Sequence, residues 1–192
     1  MLRRLYDWTM HWAVDPRARL ALFLIALAEA SFFPIPPDLL LIPMVLAAPS
    51  AGLVLAGICT VGSALGGALG YLIGSSAWEV IGDPIIQFYG AAHKYEQVSG
   101  YFNEYGIWIV AIAAFTPIPY KVITITAGAM GMPFLPFIIT SILGRGARFY
   151  LVGGVLMWGG EPLRGFVDRR LGLLTSGLAI LAIAMFLVIK LV

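Results

Sequence analysis

Five ionisable residues lie inside apolar stretches of this sequence, and their types suit the binding of an anion and the carrying of a proton. They are Glu29, Asp38, Lys121, Arg145 and Arg148. An ionised side chain at the centre of a bilayer costs about 3 kcal/mol on insertion scales, so such residues usually mark a functional site. If the two acids pair with two of the bases, one positive charge remains, and an anionic head group would balance it.

The bases are candidates for binding phosphate, and the acids are candidates for coupling transport to a cation. Arg145 and Arg148 are three residues apart, so they share one face of a helix. A guanidinium offers two parallel donors to phosphate, and Lys121 adds a third positive charge. Glu29 and Asp38 are the candidate proton carriers, and Glu29 is the preferred one because its arm is the more apolar.

A purely structural interpretation of the same charges stays open. Buried carboxylate–arginine pairs can lock two helices together without any role in transport. The Lys121 ammonium can instead extend along its aliphatic stem to the membrane interface.

The composition indicates an integral membrane protein with one domain. The chain has 192 residues, of which 60% are hydrophobic and 11% charged, whereas soluble domains carry about 25% charged residues. The net charge of +2 implies no nucleic-acid partner. Cys59 is the one cysteine, so no internal disulfide can form, and it is most simply a small apolar residue.

Two proline motifs predict helical hairpins that enter the membrane without crossing it. The apolar run from 20 to 33 reaches about 21 Å as a helix, which is short of the roughly 30 Å hydrocarbon core. Prolines then block its continuation. We therefore predict re-entrant hairpins over 20–48 and 107–132, with the turns at Pro34, Pro36, Pro37, Pro117 and Pro119.

The motif "FFPIPPD" at 32–38 recurs as "FTPIPYK" at 115–121, which indicates an internal repeat. Long apolar segments that can span the membrane follow each hairpin. The predicted fold is all-α: an inverted-topology repeat of a re-entrant hairpin plus a transmembrane helix, with an extra C-terminal transmembrane helix. The remaining predicted segments are an interfacial helix over 1–19, transmembrane helices over 52–74, 135–158 and 172–192, and an interfacial link over 75–105.

A ridge of small residues runs along the first predicted spanning helix. Gly62, Gly66, Gly70 and Gly74 recur every four residues, which lets another helix approach closely. The ridge predicts helix packing, and it also permits a homodimer.

The sequence lacks the residue patterns of the common enzyme classes. His11 and His93 stand apart from each other and from Cys59, so no zinc site is expected. There is no phosphate-binding glycine loop followed by Lys-Ser/Thr and no Gly-x-Ser-x-Gly elbow. We expect neither an enzyme nor a cofactor or metal.

The spacing Glu29-x4-Pro34-x-Pro36-x-Asp38 resembles the first signature of the DedA family, also called VTT-domain or SNARE-associated Golgi proteins. The stretch "FTPIPYKVITITAGAMGMPFLPF" resembles the second signature, and "GRGARF" at 144–149 follows it. The Pro-Tyr-Lys sequence is similar to the YqaA-like bacterial branch. The sequence departs from the family pattern at two places. Family members often carry an arginine where this chain has Pro117 or Tyr120, and Lys121 can supply that charge here. Many members also carry an acidic residue near Gly67, which this chain lacks.

The resemblance implies a lipid transporter in the bacterial cytoplasmic (inner) membrane. In this family the implied activity is flipping or scrambling of an anionic lipid, such as undecaprenyl phosphate or a phospholipid, with suspected coupling to H⁺ or Na⁺. Two alternatives remain open, namely a proton- or cation-coupled exporter of a small solute and a non-catalytic membrane assembly factor.

Overall fold

The described part of the chain is all-α. The structure is a computed structural model that describes residues 16–33, 35–89, 92–116 and 119–159, and within these ranges it contains no β-strand. The helices are α1 (Pro16–Ser31), α2 (Asp38–Ala47), α3 (Gly52–Tyr89), α4 (Ala92–Phe115), α5 (Tyr120–Ala129) and α6 (Phe134–Gly159), with a 3-10 turn (Pro49–Ala51) before α3.

The proline motifs interrupt the helices where the sequence predicts. Helix α1 ends at Ser31 and α2 begins at Asp38, directly after the buried Pro37. Helix α4 ends at Phe115 and α5 begins at Tyr120, directly after Pro119. Proline lacks the backbone donor that a helix interior needs and is tolerated at a helix start. Each motif therefore forms a helix–turn–helix unit.

Two helices are long and apolar enough to cross a membrane. They are Pro49–Trp78, which includes most of α3, and Phe134–Gly159, which is α6. They include the predicted spans 52–74 and 135–158. The two helices are antiparallel, because the start of α3 at Gly52 packs against Met157 near the end of α6, while Ser63 contacts Arg145 further back.

The helix ends around the polar connector differ from the predicted ones. We expect surface helices in the link 75–105, and the stretch is helical where it is described, but α3 continues through Gly74 to Tyr89 without a break and α4 begins at Ala92. Polarity alone does not interrupt backbone hydrogen bonding, and Pro84 lies inside α3 without ending it. Residues 1–15 of the predicted interfacial helix, the predicted transmembrane helix 172–192, Pro34 and Pro117 lie outside the described residues, and residues 16–19 form the start of α1.

The glycine ridge of α3 holds two short helices one after the other. A Cβ added at Gly66 would lie 2.0 Å from the carbonyl oxygen of Leu27 in α1. A Cβ at Gly74 would lie 2.0 Å from the carbonyl oxygen of Ile125 in α5. The end of α1 therefore meets the start of α5, where Thr124 Oγ1 lies 3.1 Å from the Ala30 carbonyl oxygen. Because helices of the same chain fill the ridge, a homodimer would need another surface.

Apolar side chains form a separate core around each helix–turn–helix unit. Leu22 of α1 and Leu41 of α2 belong to a buried cluster with Phe149 of α6. Val110 of α4 and Phe137 of α6 belong to a second cluster. Helix α6 contributes to both cores, so it holds the two units in place around the site described next.

Candidate functional site

Two ion pairs connect the first helix–turn–helix unit to α6. The Arg145 guanidinium pairs with Glu29, and Arg148 Nη2 lies 2.6 Å from Asp38 Oδ2. Four of the five sequence-predicted charges are thus brought together as two pairs. Lys121 is partly buried and makes no ion pair with any residue that the structure describes. With both acids paired to arginines, Lys121 is the one unpaired positive charge of the described site.

The Arg145 guanidinium is enclosed on every side by protein. Its Nε–H donates to Ser63 Oγ at 2.7 Å, and a terminal nitrogen donates to Glu29. Its Cζ lies 5.0 Å from the ring centroid of Tyr120 and 4.8 Å from that of Phe149. The residue is 1% exposed. The Glu29 carboxylate matches its charge, and hydrogen bonds from two of its nitrogens offset part of the cost of burying it.

Arg148 joins the turns of both helix–turn–helix units. One terminal nitrogen binds Asp38 at the start of α2, and the other lies 3.3 Å from the carbonyl oxygen of Thr116, directly after α4. The side chains of this pair are 21% and 18% exposed, against 2% for Arg145. The Asp38–Arg148 pair is therefore accessible from outside the protein, whereas Arg145 is not.

The site lies near the middle of both long helices. Ser63 stands 14 residues after Pro49 and 15 before Trp78, the ends of the first candidate span. Arg145 stands 11 residues after Phe134 and 14 before Gly159. At 1.5 Å per residue, both side chains start within about 3 Å of the midpoint of their candidate span. In a helix that crosses a membrane, this position is the most costly for a charge.

Helix dipoles explain why two of these charges need a partner. Glu29 lies in the last turn of α1, at the negative end of the helix dipole, and Lys121 lies in the first turn of α5, at the positive end. Each charge is therefore at the end of like sign, which is unfavourable. Asp38, the first residue of α2, faces a favourable end. Arg145 compensates Glu29, while Lys121 has no compensating carboxylate within the described ranges.

Sequence reasoning missed several neutral groups of the site. Ser63 lies in a glycine-rich helix, where a single serine forms no repeated pattern that would predict a functional role. Tyr120 packs its ring on Arg145 and donates its hydroxyl hydrogen to Ser141. The motif Pro-Tyr-Lys singles out this tyrosine, but nothing in the sequence places its ring on a particular arginine. Within the described residues, no three metal-binding side chains come together.

Comparisons with known proteins agree with the paired motifs. The VTT domain model matches residues 35–156. An "Uncharacterized protein" of Haemophilus influenzae is 37% identical over 97% of this chain and 96% of its own length. A homologue in Histophilus somni is 41% identical over 97% of both chains. An uncharacterized protein of Methanocaldococcus jannaschii is 30% identical over 68% of this chain and 79% of its own length.

No solved structure matches the chain significantly. The family match covers the residues directly before Asp38, the first candidate span, most of α6 and both arginines of the site. The apolar helices and this match together indicate a membrane protein. The chain belongs to the VTT-domain family.

Proposed function

We propose that this protein moves an anionic lipid, such as a polyprenyl phosphate or an acidic phospholipid, across the bacterial cytoplasmic membrane. The observation that carries the proposal is the accessible Asp38–Arg148 pair at the point where the two proline turns converge. It combines a phosphate-binding side chain with a position at the middle of the long helices.

Exposed apolar side chains adjoin Asp38 and Thr116 along the chain, and such an apolar rim favours a substrate with a lipid tail. Phe32, Phe33 and Ile35 precede Asp38 and are exposed, and Phe115 is exposed directly before Thr116. A water-soluble solute would gain nothing from such a rim, whereas an amphiphile can place its tail there and its head group on the charges. This rim favours a lipid transporter over a solute exporter.

The charge balance favours an anionic head group. Glu29 and Asp38 neutralise two of the three bases, and Lys121 is left as the surplus charge within the described residues. A phosphate near Lys121 and Arg148 would complete the balance in a medium where an unpaired charge is costly. In this proposal Glu29 and Asp38 are also the groups through which H⁺ or Na⁺ is coupled to transport.

The proposal includes re-entrant hairpins arranged as an inverted repeat. Helices α1 and α5 both run parallel to α3. Phe23 and Leu27 of α1 contact Gly62 and Gly66 in chain order, and Thr124 and Ile125 of α5 contact Gly70 and Gly74 in chain order. Helix α1 ends near the middle of α3, and α5 begins there. The first unit thus opens towards the start of α3 and the second towards its end. This arrangement supports two hairpins that enter from opposite faces.

The test is lipid movement in liposomes that contain the purified full-length protein. The leaflet exposure of a labelled polyprenyl phosphate and of a labelled zwitterionic phospholipid is followed against protein-free liposomes. We expect faster exchange of the polyprenyl phosphate. If correctly folded protein accelerates neither lipid, the lipid proposal is wrong, and flux of a soluble solute or the binding of a partner protein becomes the next assay.

A further inference from the structure

We infer that Arg148 is the residue that receives the lipid phosphate, and that the Asp38 carboxylate occupies the phosphate position until the lipid displaces it. Arg145, three residues earlier, does not contact the head group. The inference rests on the proposed function and assigns different roles to two arginines that the sequence treats alike.

Arg145 has no room for a ligand. Its guanidinium donates to Glu29 and to Ser63, and aromatic rings of Tyr120 and Phe149 lie within 5.0 Å of its Cζ. Its side chain is 2% exposed. A phosphate could reach it only if Glu29 were expelled into a place without another cation. This pair therefore holds α1 on α6.

Arg148 has the geometry that a displaceable carboxylate requires. It contacts Asp38 through one nitrogen at 2.6 Å and the Thr116 carbonyl at 3.3 Å, which is a long hydrogen bond. Neither contact uses the two-donor fork fully. A phosphate offers several acceptor oxygens, so it can engage both terminal nitrogens at once. Carboxylate and phosphate are thus alternative partners for the same fork.

Displacement of Asp38 would also change the structure around the site. Arg148 is the charged contact that joins the start of α2 to α6 and to the turn after α4, beside the apolar packing of Leu41 in the cluster of Phe149. When phosphate takes the guanidinium, Asp38 loses this contact, and the turn of the first unit is held on α6 by apolar packing, so it can open more readily. Head-group binding and opening of the first turn then become one event. A neutral alcohol with the same tail cannot trigger it.

Equilibrium binding to the detergent-solubilised full chain tests this assignment, with farnesyl phosphate as the probe. Farnesol and inorganic phosphate are the comparison ligands that separate the tail from the head group. Hydrogen bonds to charged groups are worth enough to change affinity by about tenfold or more. We expect Arg148→Gln to weaken farnesyl phosphate binding by about that factor, and Asp38→Asn to strengthen it several-fold because the competitor is neutral.

Glu96→Gln is the matched control, because Glu96 is an exposed acid on α4. Unchanged affinity in Arg148→Gln, or affinity in Asp38→Asn no higher than that of the wild type, overturns the inference. Inorganic phosphate that binds as tightly as farnesyl phosphate also overturns it, since the ligand would then be the free ion. Each variant is first checked for the wild-type elution volume and melting curve.

Cys59 supplies a second measurement on the wild-type protein. It is the one cysteine of the chain, fully buried in the core cluster that contains Leu41 of α2. If phosphate frees the first turn, farnesyl phosphate should speed maleimide labelling of Cys59, and farnesol should not. Unchanged labelling at saturating farnesyl phosphate would contradict the displacement.

The two proposals fail separately. Affinity changes as expected, together with no lipid movement in liposomes, would support the binding role of Arg148 and overturn transport. Lipid movement with wild-type affinity in both variants would leave transport standing and overturn the assignment.

Discussion

At the scale of single residues, position rather than type separates the two arginines. Both belong to α6 and both pair with an acid of the first unit. Arg145 is enclosed and paired with Glu29, while Arg148 is partly exposed and lies between two turns. The first has the features of a structural clamp and the second those of a binding residue.

This difference leads to an expected order of stability. Removing one partner of a buried ion pair costs about 3–5 kcal/mol, and the loss is smaller where the charge left behind is partly exposed, as Asp38 is. We expect Arg145→Ala to lower the free energy of unfolding far more than Arg148→Ala does. Denaturant titration of both proteins in the same detergent measures it.

A double substitution isolates the pair itself. If Glu29 and Arg145 stabilise each other, Glu29→Ala combined with Arg145→Ala should cost clearly less than the sum of the two single changes. Additive losses, or a larger loss for Arg148→Ala than for Arg145→Ala, would contradict the clamp.

The sequence predicts which charged residues belong to this site better than it predicts which acid pairs with which base. Glu29, Asp38, Lys121, Arg145 and Arg148 are conspicuous because charges are rare in apolar runs. Which acid meets which base depends on how α1 and α2 lie on α6, and no local pattern records that. Neutral groups such as Ser63 and Tyr120 are missed for the same reason, since their types are ordinary in a membrane helix.

At the scale of helices, the close approach of α1 and α5 to α3 depends on absent side chains. A Cβ at Gly66 would lie 2.0 Å from a backbone oxygen of α1, and backbone cannot move aside as a side chain can. Gly154 of α6 has no atom of another residue near its missing Cβ. The two glycines are therefore a matched pair for testing helix contact.

We expect Gly66→Ala to destabilise the protein by about 1–3 kcal/mol or more, as overpacking does. Gly154→Ala should be neutral or stabilising by up to about 1 kcal/mol, because alanine favours helix. Thermal unfolding in detergent compares the two. Equal effects of the two substitutions would show that the ridge does not hold α1.

Helix breaks are easier to predict than helix ends here. Clustered prolines remove several backbone donors, so the breaks after Ser31 and after Phe115 follow from the sequence, whereas the single Pro43 and Pro84 lie inside α2 and α3. The unbroken continuation of α3 through Gly74 to Tyr89 was not predicted, because the change from apolar to polar residues marks a change of surroundings and need not interrupt a helix.

At the scale of the whole molecule, the antiparallel α3 and α6 place the start of α3 and the end of α6 on one side. The turns of both units lie near the middle of these helices. The repeat of the proline motif in the sequence predicts the two turns. The convergence of the two turns on one arginine does not follow from the repeat, because it needs the packing of α6 between them.

Single-cysteine labelling tests this arrangement in cells or oriented vesicles, on a Cys59→Ala background. Ser50 and Ser76 are exposed residues that flank the first candidate span. We expect a bulky impermeant maleimide to label Ser50→Cys from one side of the membrane and Ser76→Cys from the other. Ile35→Cys, in the first turn, should be protected from both sides.

Strong labelling of Ile35→Cys from either side would place the first turn outside the membrane, and the hairpin would then span it. Labelling of Ser50→Cys and Ser76→Cys from the same side would show that α3 does not cross the membrane.

Transport of an anionic lipid by the charged site between the turns is tested most directly in liposomes. The rate of polyprenyl-phosphate exchange between leaflets is compared for Arg148→Gln protein and Glu96→Gln protein. We expect Arg148→Gln to fall to the protein-free rate and Glu96→Gln to match the wild type. Wild-type exchange by folded Arg148→Gln protein would contradict it.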